Sequence, residues 1–325
     1  MIWPKGKKAA FAIIDDTDDA VMPDIARVYD ILINNGVKST KTVWVYPVRD
    51  KHLFKGATLT SDAEYAMFVK NLVSLGFEIG LHNVGSGDFS REEILEGLEI
   101  FRNTLGFYPN IHVNHSYNKD NIYGGDKRFS FPLNLIVRYL FSGYTGFEGE
   151  IPSSKHFWGD AHKRLIKFSR SYEIDNFNLL GTCKFPYTDS QYSDFCNQFY
   201  PTVFCPNQDM FVRKVTRQNV EKLISENGCS IVYTHLGYYA ERGGVDQGFI
   251  DSINMLSEYK SDIWFATVGE ILNHLERVQG VSAITYLQKL NLQLKTLKTR
   301  FKYRYVSKFD DYHYKKSIGA KHRKS

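Results

Sequence analysis

Four cysteines in 325 residues, none of them in a C-x-x-C pair, give neither zinc-ribbon spacing nor a disulfide framework. Cys183, Cys196, Cys205 and Cys229 are therefore expected as reduced thiols. No apolar run reaches the roughly 18 residues that a membrane span needs, which removes integral membrane readings. A secretory leader is missing too: Met1-Ile2-Trp3-Pro4-Lys5-Gly6-Lys7-Lys8 runs through two alanines into the strand-like Phe11-Ala12-Ile13-Ile14, so a cytoplasmic product is expected. There is no internal repeat and no low-complexity segment before the C-terminal tail. Val84-Gly85-Ser86-Gly87-Asp88 does not meet the G-x-S-x-G pattern of serine hydrolases.

What the chain does have is apolar and aromatic bulk, 43% and 15% of residues, enough for one large core. Its charge is unevenly placed. Residues 281 to 325 hold twelve Lys/Arg against two Asp, a balance of +10, which leaves −5 for residues 1 to 280 out of the overall +5. Two units follow, a domain over 1–280 and a basic tail over 281–325. The acidity of the larger unit, with no recognised binding motif, argues against nucleic acid as a partner.

Short β-rich runs alternate with helical patterns: Phe11 to Ile14 then 23 to 35, Thr42 to Tyr46 then 61 to 75, Phe77 to Leu81 then 90 to 105, and Ile111 to Asn114. Such a rhythm marks βα units. Capping boxes are expected at Ser61 with Glu64 and at Ser90 with Glu93. The pattern loosens between about 117 and 210. It resumes with a helix over 217–227, the strand Ser230 to Thr234, a helix over 247–259, the strand Trp264 to Val268 and a helix from Glu270. The predicted architecture is α/β, a distorted β/α barrel closed by the two ends of the domain.

Four polar groups stand at or beside the ends of apolar strand runs: Asp15-Asp16, His82, His115 and His235. In β/α barrels the reacting groups gather at that end of the strands. Asp15-Asp16-Thr17-Asp18-Asp19 places four carboxylates within five residues, a repulsive set that a bound cation or free solvation relieves. An EF-hand is excluded because its central Gly and terminal Glu are absent. A lone histidine after a strand is more often a packed, hydrogen-bonded core residue than a ligand.

Read together, the phrases resemble the polysaccharide deacetylases of carbohydrate esterase family four over about residues 8 to 278. Ile14-Asp15-Asp16 resembles the T-F-D-D motif, which implies Asp15 as general base and Asp16 as metal ligand. Glu78-Ile79-Gly80-Leu81-His82 resembles E-I-G-x-H and implies His82 as a metal ligand. Tyr233-Thr234-His235 resembles the late L-x-H motif, whose histidine is the general acid, and Trp264 to Ile271 is similar to the closing strand and helix. The second motif, H-[ST]-x-x-H, has Ser86 in place of its second histidine, and the R-x-P-Y motif is absent, with Asn114-His115-Ser116 near its place. His115 or Asp18 is expected to supply the missing ligand. Asp18, Asn114, Trp158 and Asp160 are expected to contact substrate.

The resemblance implies a metal-dependent hydrolase that removes N-acetyl groups from a carbohydrate. Zinc is favoured, with cobalt or nickel able to substitute, because imidazole ligation suits these ions. Asp15 ionised with His235 protonated gives a bell-shaped pH profile. The variant pattern is similar to a branch associated with O-antigen and capsule biosynthesis. Two other readings stay open: a non-catalytic homologue that binds a glycan or a partner, and a carbohydrate O-esterase or glycosidase on the same barrel.

In the tail, Leu287, Leu290, Leu294, Leu297, Phe301 and Tyr305 recur every three or four residues, with Lys289, Lys295, Lys298 and Lys302 largely off that face. A basic amphipathic helix is predicted. It packs back on the barrel, pairs with a second copy, or lies on an anionic membrane surface at the inner face of the membrane.

Overall fold

The computed structural model describes residues 3–49, 54–140, 145–241 and 243–303. Seven parallel strands close into a barrel: β1 (Ala9–Asp15), β2 (Ser39–Val43), β3 (Glu78–Leu81), β4 (Ile111–His112), β5 (Phe168–Ile174), β7 (Gln198–Phe204) and β8 (Cys229–Thr234), which returns to β1. Every residue of β1 and β2 is buried, as expected for parallel strands covered on both faces. The remaining strands lie outside the ring. β6 (Tyr187–Thr188) pairs with β7 and with β12 (Ser282–Ala283), β11 (Ile263–Phe265) flanks β1, and β9 (Ala240–Glu241) and β10 (Gly244–Val245) form a hairpin.

Ten described helices surround the strands: α1 (Asp24–Asn34), α2 (Ala63–Ser74), α3 (Arg91–Leu105), α4 (Leu133–Leu140), α5 (Gly159–Leu165), α6 (Gln208–Lys214), α7 (Arg217–Ser225), α8 (Gln247–Ser257), α9 (Val268–Gln279) and α10 (Tyr286–Lys302). The Ser90–Glu93 capping box is present at α3. At α2 the cap is instead Asp62, which accepts from the Tyr65 amide, while the Ser61 hydroxyl pairs with Thr58. The second strand also lies earlier than its apolar run suggested. Val45 and Tyr46 belong to the following loop, where both amides donate to the Val84 carbonyl. All four cysteines are buried free thiols, as expected.

The predicted tail helix is present as α10 and packs against β5. Its apolar positions divide: Leu297 is buried and Leu290 packs on the core, whereas Leu287, Leu294 and Phe301 are exposed. Tyr305 and the rest of 304–325 lie outside the described residues. Among the described residues, no helix is long and apolar enough to cross a membrane.

Candidate metal-binding active site

Asp16, Asp18, His82, His115 and His235 all lie just beyond the C-terminal ends of β1, β3, β4 and β8 and are buried. Asp18 Oδ1 faces Nε2 of His82 at 3.5 Å and Nε2 of His115 at 3.7 Å, while Asp18 Oδ2 faces Nε2 of His235 at 3.4 Å. One donor atom each from Asp18, His82 and His115 fall within 4.8 Å of one another. Ligand atoms around a tetrahedral zinc stand about 3.3–3.6 Å apart, given bonds of ~2.0–2.2 Å.

Two of the imidazoles are fixed in one tautomer by what lies behind them. His82 Nδ1 is 3.1 Å from the Val113 carbonyl, which only accepts, so Nδ1 carries the proton and Nε2 offers a lone pair. His115 Nδ1 is 3.0 Å from Asn118 Oδ1. The Asn118 amide is oriented independently, because its Oδ1 accepts from the Gly87 amide and its Nδ2 donates to the Gly85 carbonyl. His115 Nε2 is thereby turned toward Asp18. His235 follows the same rule, with Nδ1 donating to the Pro206 carbonyl at 2.6 Å.

The electrostatics favour positive charge in this space. Burial pushes Asp18 upward, but the imidazoles of His115, His82 and His235 outweigh it and hold the carboxyl well below its usual range. Burial likewise pushes His82 down, and the carboxylates of Asp16 and Asp18 raise it above its ordinary 6.5. Asp18 Oδ1 is buried with no hydrogen-bond partner among the described residues. A buried acceptor left without a donor is costly unless something cationic meets it. Carboxylate plus imidazoles, with one acceptor unfilled, suit a zinc-like divalent ion.

The two aspartates at the end of β1 take different roles from those implied by the T-F-D-D resemblance. Asp15 faces away from the barrel interior. Its carboxylate accepts from Lys41 Nζ (2.8 Å), Tyr29 Oη (2.9 Å) and the Leu236 amide (2.8 Å), in a pocket closed by α1 and β2. Directed toward α1 and β2 and away from the donor set, Asp15 does not fit a general base. Asp16, the next residue, faces inward and receives a bidentate pair from Arg170 of β5 at 2.9 and 2.8 Å, across the barrel. Asp16 Oδ2 lies 3.9 Å from His82 Nε2, so it flanks the donor set, and Asp18 occupies the ligand place expected for Asp16. His115 stands where the missing imidazole was sought.

The other expected substrate contacts do not fit. Trp158 is buried, its indole N–H donating to the Asp120 carbonyl and its ring set against His112 and His162, which leaves no face for a pyranose. Asp160 is held in a bidentate pair by Arg91 of α3 on the surface. Asn114 has both amide atoms bonded to the Ile122 backbone, closing its own loop.

Several residues that hold the site went unread in the sequence. Arg170 is one. Asn83, at φ +49°, accepts from the His115 amide and donates to Asp120. Asn118, three residues after His115, gave a local signal in its spacing. Gly237 lets the His235 loop pass against the Asp18 loop, since a Cβ there would sit 2.4 Å from the Asp18 carbonyl oxygen.

No protein-family model matches the chain, and no curated protein matches it. Among solved structures, it is similar to a protein from Mycobacterium smegmatis assigned as a polysaccharide deacetylase, at 15% identity and a TM-score of 0.50, over 88% of this chain and 96% of that one. It is also similar to the PuuE allantoinase, at 10% identity and a TM-score of 0.51, over 86% and 93% of the two chains. At such identities the likeness concerns the fold, and the chain is an α/β protein with the closed, helix-ringed barrel of the polysaccharide deacetylase type.

Proposed function

We propose that the chain is a metal-dependent deacetylase that removes N-acetyl groups from a sugar or glycan precursor in surface polysaccharide biosynthesis, O-antigen or capsule. The observation that carries the reading is the convergence of Asp18, His82 and His115 on one point, flanked on one side by Asp16 with Arg170 and on the other by His235. Those three side chains would hold a divalent ion, zinc by the chemistry of its ligands, which would supply Lewis acidity toward the amide carbonyl.

The rest of the chemistry belongs to the chain's own groups. Asp16 takes a proton from the attacking water, its carboxylate plane fixed by the Arg170 fork. His235 gives a proton to the departing amine from Nε2, with its ring set by the Nδ1 contact to Pro206. Asp15 is a positioning residue: by accepting from the Leu236 amide it ties the strand that carries Asp16 to the loop that carries His235.

A fold shared with a protein named as an allantoinase leaves the amide substrate open, so a second reading is hydrolysis of a non-sugar amide at the same centre. The experiment is metal analysis and cobalt titration of the purified chain and of His115→Ala, followed by acetate release from N-acetylated sugars and ammonia or ureide release from cyclic amides. One equivalent of metal in the wild type, a loss of affinity of about 10- to 100-fold or more in the variant, and acetate release support the proposal. A chain that takes up neither zinc nor cobalt overturns it in favour of a glycan-binding homologue.

A further inference from the structure

The helix α10 carries apolar side chains on its outer face as well as on its buried one. Its buried face mixes Leu292 and Leu297 with polar groups: Lys289 pairs with Asp189 at 2.6 Å, Gln293 bonds the Arg128 carbonyl and the Ser130 amide, and Thr296 and Thr299 are covered. Its outer face carries Leu287, Leu294 and Phe301, which are 75%, 50% and 43% exposed. These three stand seven residues apart, so they form one stripe along two heptads of helix. The adjoining segment repeats the pattern. Around α4, which begins just after the Ser130 that Gln293 holds, Phe131 is 74% exposed, Leu135 49% and Tyr139 87%.

Exposed apolar residues gathered on two neighbouring elements mark a contact surface. Charge selects its occupant. Lys298 lies on the outward side between Leu294 and Phe301, and of the twelve Lys/Arg in residues 281–325, seven follow residue 303 against only Asp310 and Asp311. A second copy would bring like charge together. An anionic bilayer meets the same stripe with opposite charge, while Phe131, Tyr139 and Phe301 are side chains that suit the headgroup boundary.

We infer that α4 and α10 form a docking face for an anionic lipid surface, with the apolar stripe entering the headgroup boundary and Lys298 lying over the phosphates. The inference is independent of the proposed reaction. Flotation of the full chain with phosphatidylcholine vesicles, with and without phosphatidylglycerol, tests it. Binding to the anionic vesicles alone, weakened by salt, is expected. Leu294→Ser with Phe301→Ser lowers the partition coefficient on the order of a hundredfold, because two large apolar side chains no longer leave water. Lys298→Glu lowers it by about a factor of five for each of the two charges changed.

Cooperative thermal melts of the variants confirm that they fold. Failure of the wild-type chain to float with either vesicle overturns the inference. So does a wild-type dimer in light scattering that the Leu294→Ser/Phe301→Ser variant converts to monomer without any vesicle binding, since the face then belongs to a second copy.

Discussion

Arg170 offers the sharpest test of how the barrel interior is held. Its side chain is 8% exposed, and the guanidinium makes two hydrogen bonds to Asp16 at 2.9 and 2.8 Å, approaches Glu173 at 3.6 Å and lies over the Tyr233 ring at 4.3 Å. In Arg170→Met, Glu173 keeps Arg128 at 3.2 Å and Arg300 at 3.5 Å, so only Asp16 is stranded, facing a space too dry to solvate it. Removing one partner of such a buried pair costs about 3–5 kcal/mol. Arg170→Met/Asp16→Asn removes the stranded charge as well, and methionine fills much of the arginine volume, so most of that loss is expected to return. Urea unfolding of wild type, both single variants and the double variant at neutral pH gives the coupling directly, and the two single losses should exceed the double by at least about 2 kcal/mol. Additivity within ~0.5 kcal/mol would refute the claim that Asp16 and Arg170 are coupled as a buried pair.

Two further outcomes separate supporting groups from reacting ones. Asp15→Asn leaves Lys41 buried without its carboxylate, between the rings of Tyr29 and Tyr65, and should destabilise the chain by about 3–5 kcal/mol while the number of metal ions bound per chain is unchanged; loss of metal at full stability would return Asp15 to the centre. Burial, offset only in part by the hydrogen bond from Asn83, pushes Asp120 up to about 7 from its ordinary 3.8. The folded chain therefore holds this proton more tightly than the unfolded chain, and stability falls as pH rises from about 4 to 7 and is constant in this respect above. Asp120→Asn should gain on wild type by about 2–3 kcal/mol between pH 5 and pH 8 in chemical denaturation, and a difference that does not change with pH would contradict it.

The strand rhythm made the barrel legible because parallel strands buried on both faces appear as short apolar runs whatever their neighbours are. Two of the seven barrel strands escaped. β5 reads Phe168-Ser-Arg-Ser-Tyr-Glu-Ile174, and its polar positions look like a loop until Asp16, 154 residues away, shows why an arginine belongs there. Trp158 beside Asp160 looked like a sugar shelf for a similar reason: composition names the side chains, whereas only packing decides that the indole lies under His112 and the carboxylate beside Arg91. The three histidines were legible because each follows a strand closely, and the end of a strand fixes where the next few residues stand.

The aspartates carry the more general lesson. Asp15 ends β1 with its side chain toward Tyr29 and Lys41 on the outer side, whereas Asp16 and Asp18, in the loop just beyond the strand, both reach the barrel mouth. The buried Lys41, opposite Asp15 in the register of β1 with β2, is the residue that draws Asp15 to the outer side. The absent second histidine of the β3 loop follows the same logic. At Val84–Asp88 the chain presents backbone groups to Asn118 in place of an imidazole, and Asn118 in turn aims His115 from the β4 loop. A donor set is defined by where its atoms meet, and a neighbouring strand of the same barrel reaches that meeting point as readily as the one on which a motif expects it.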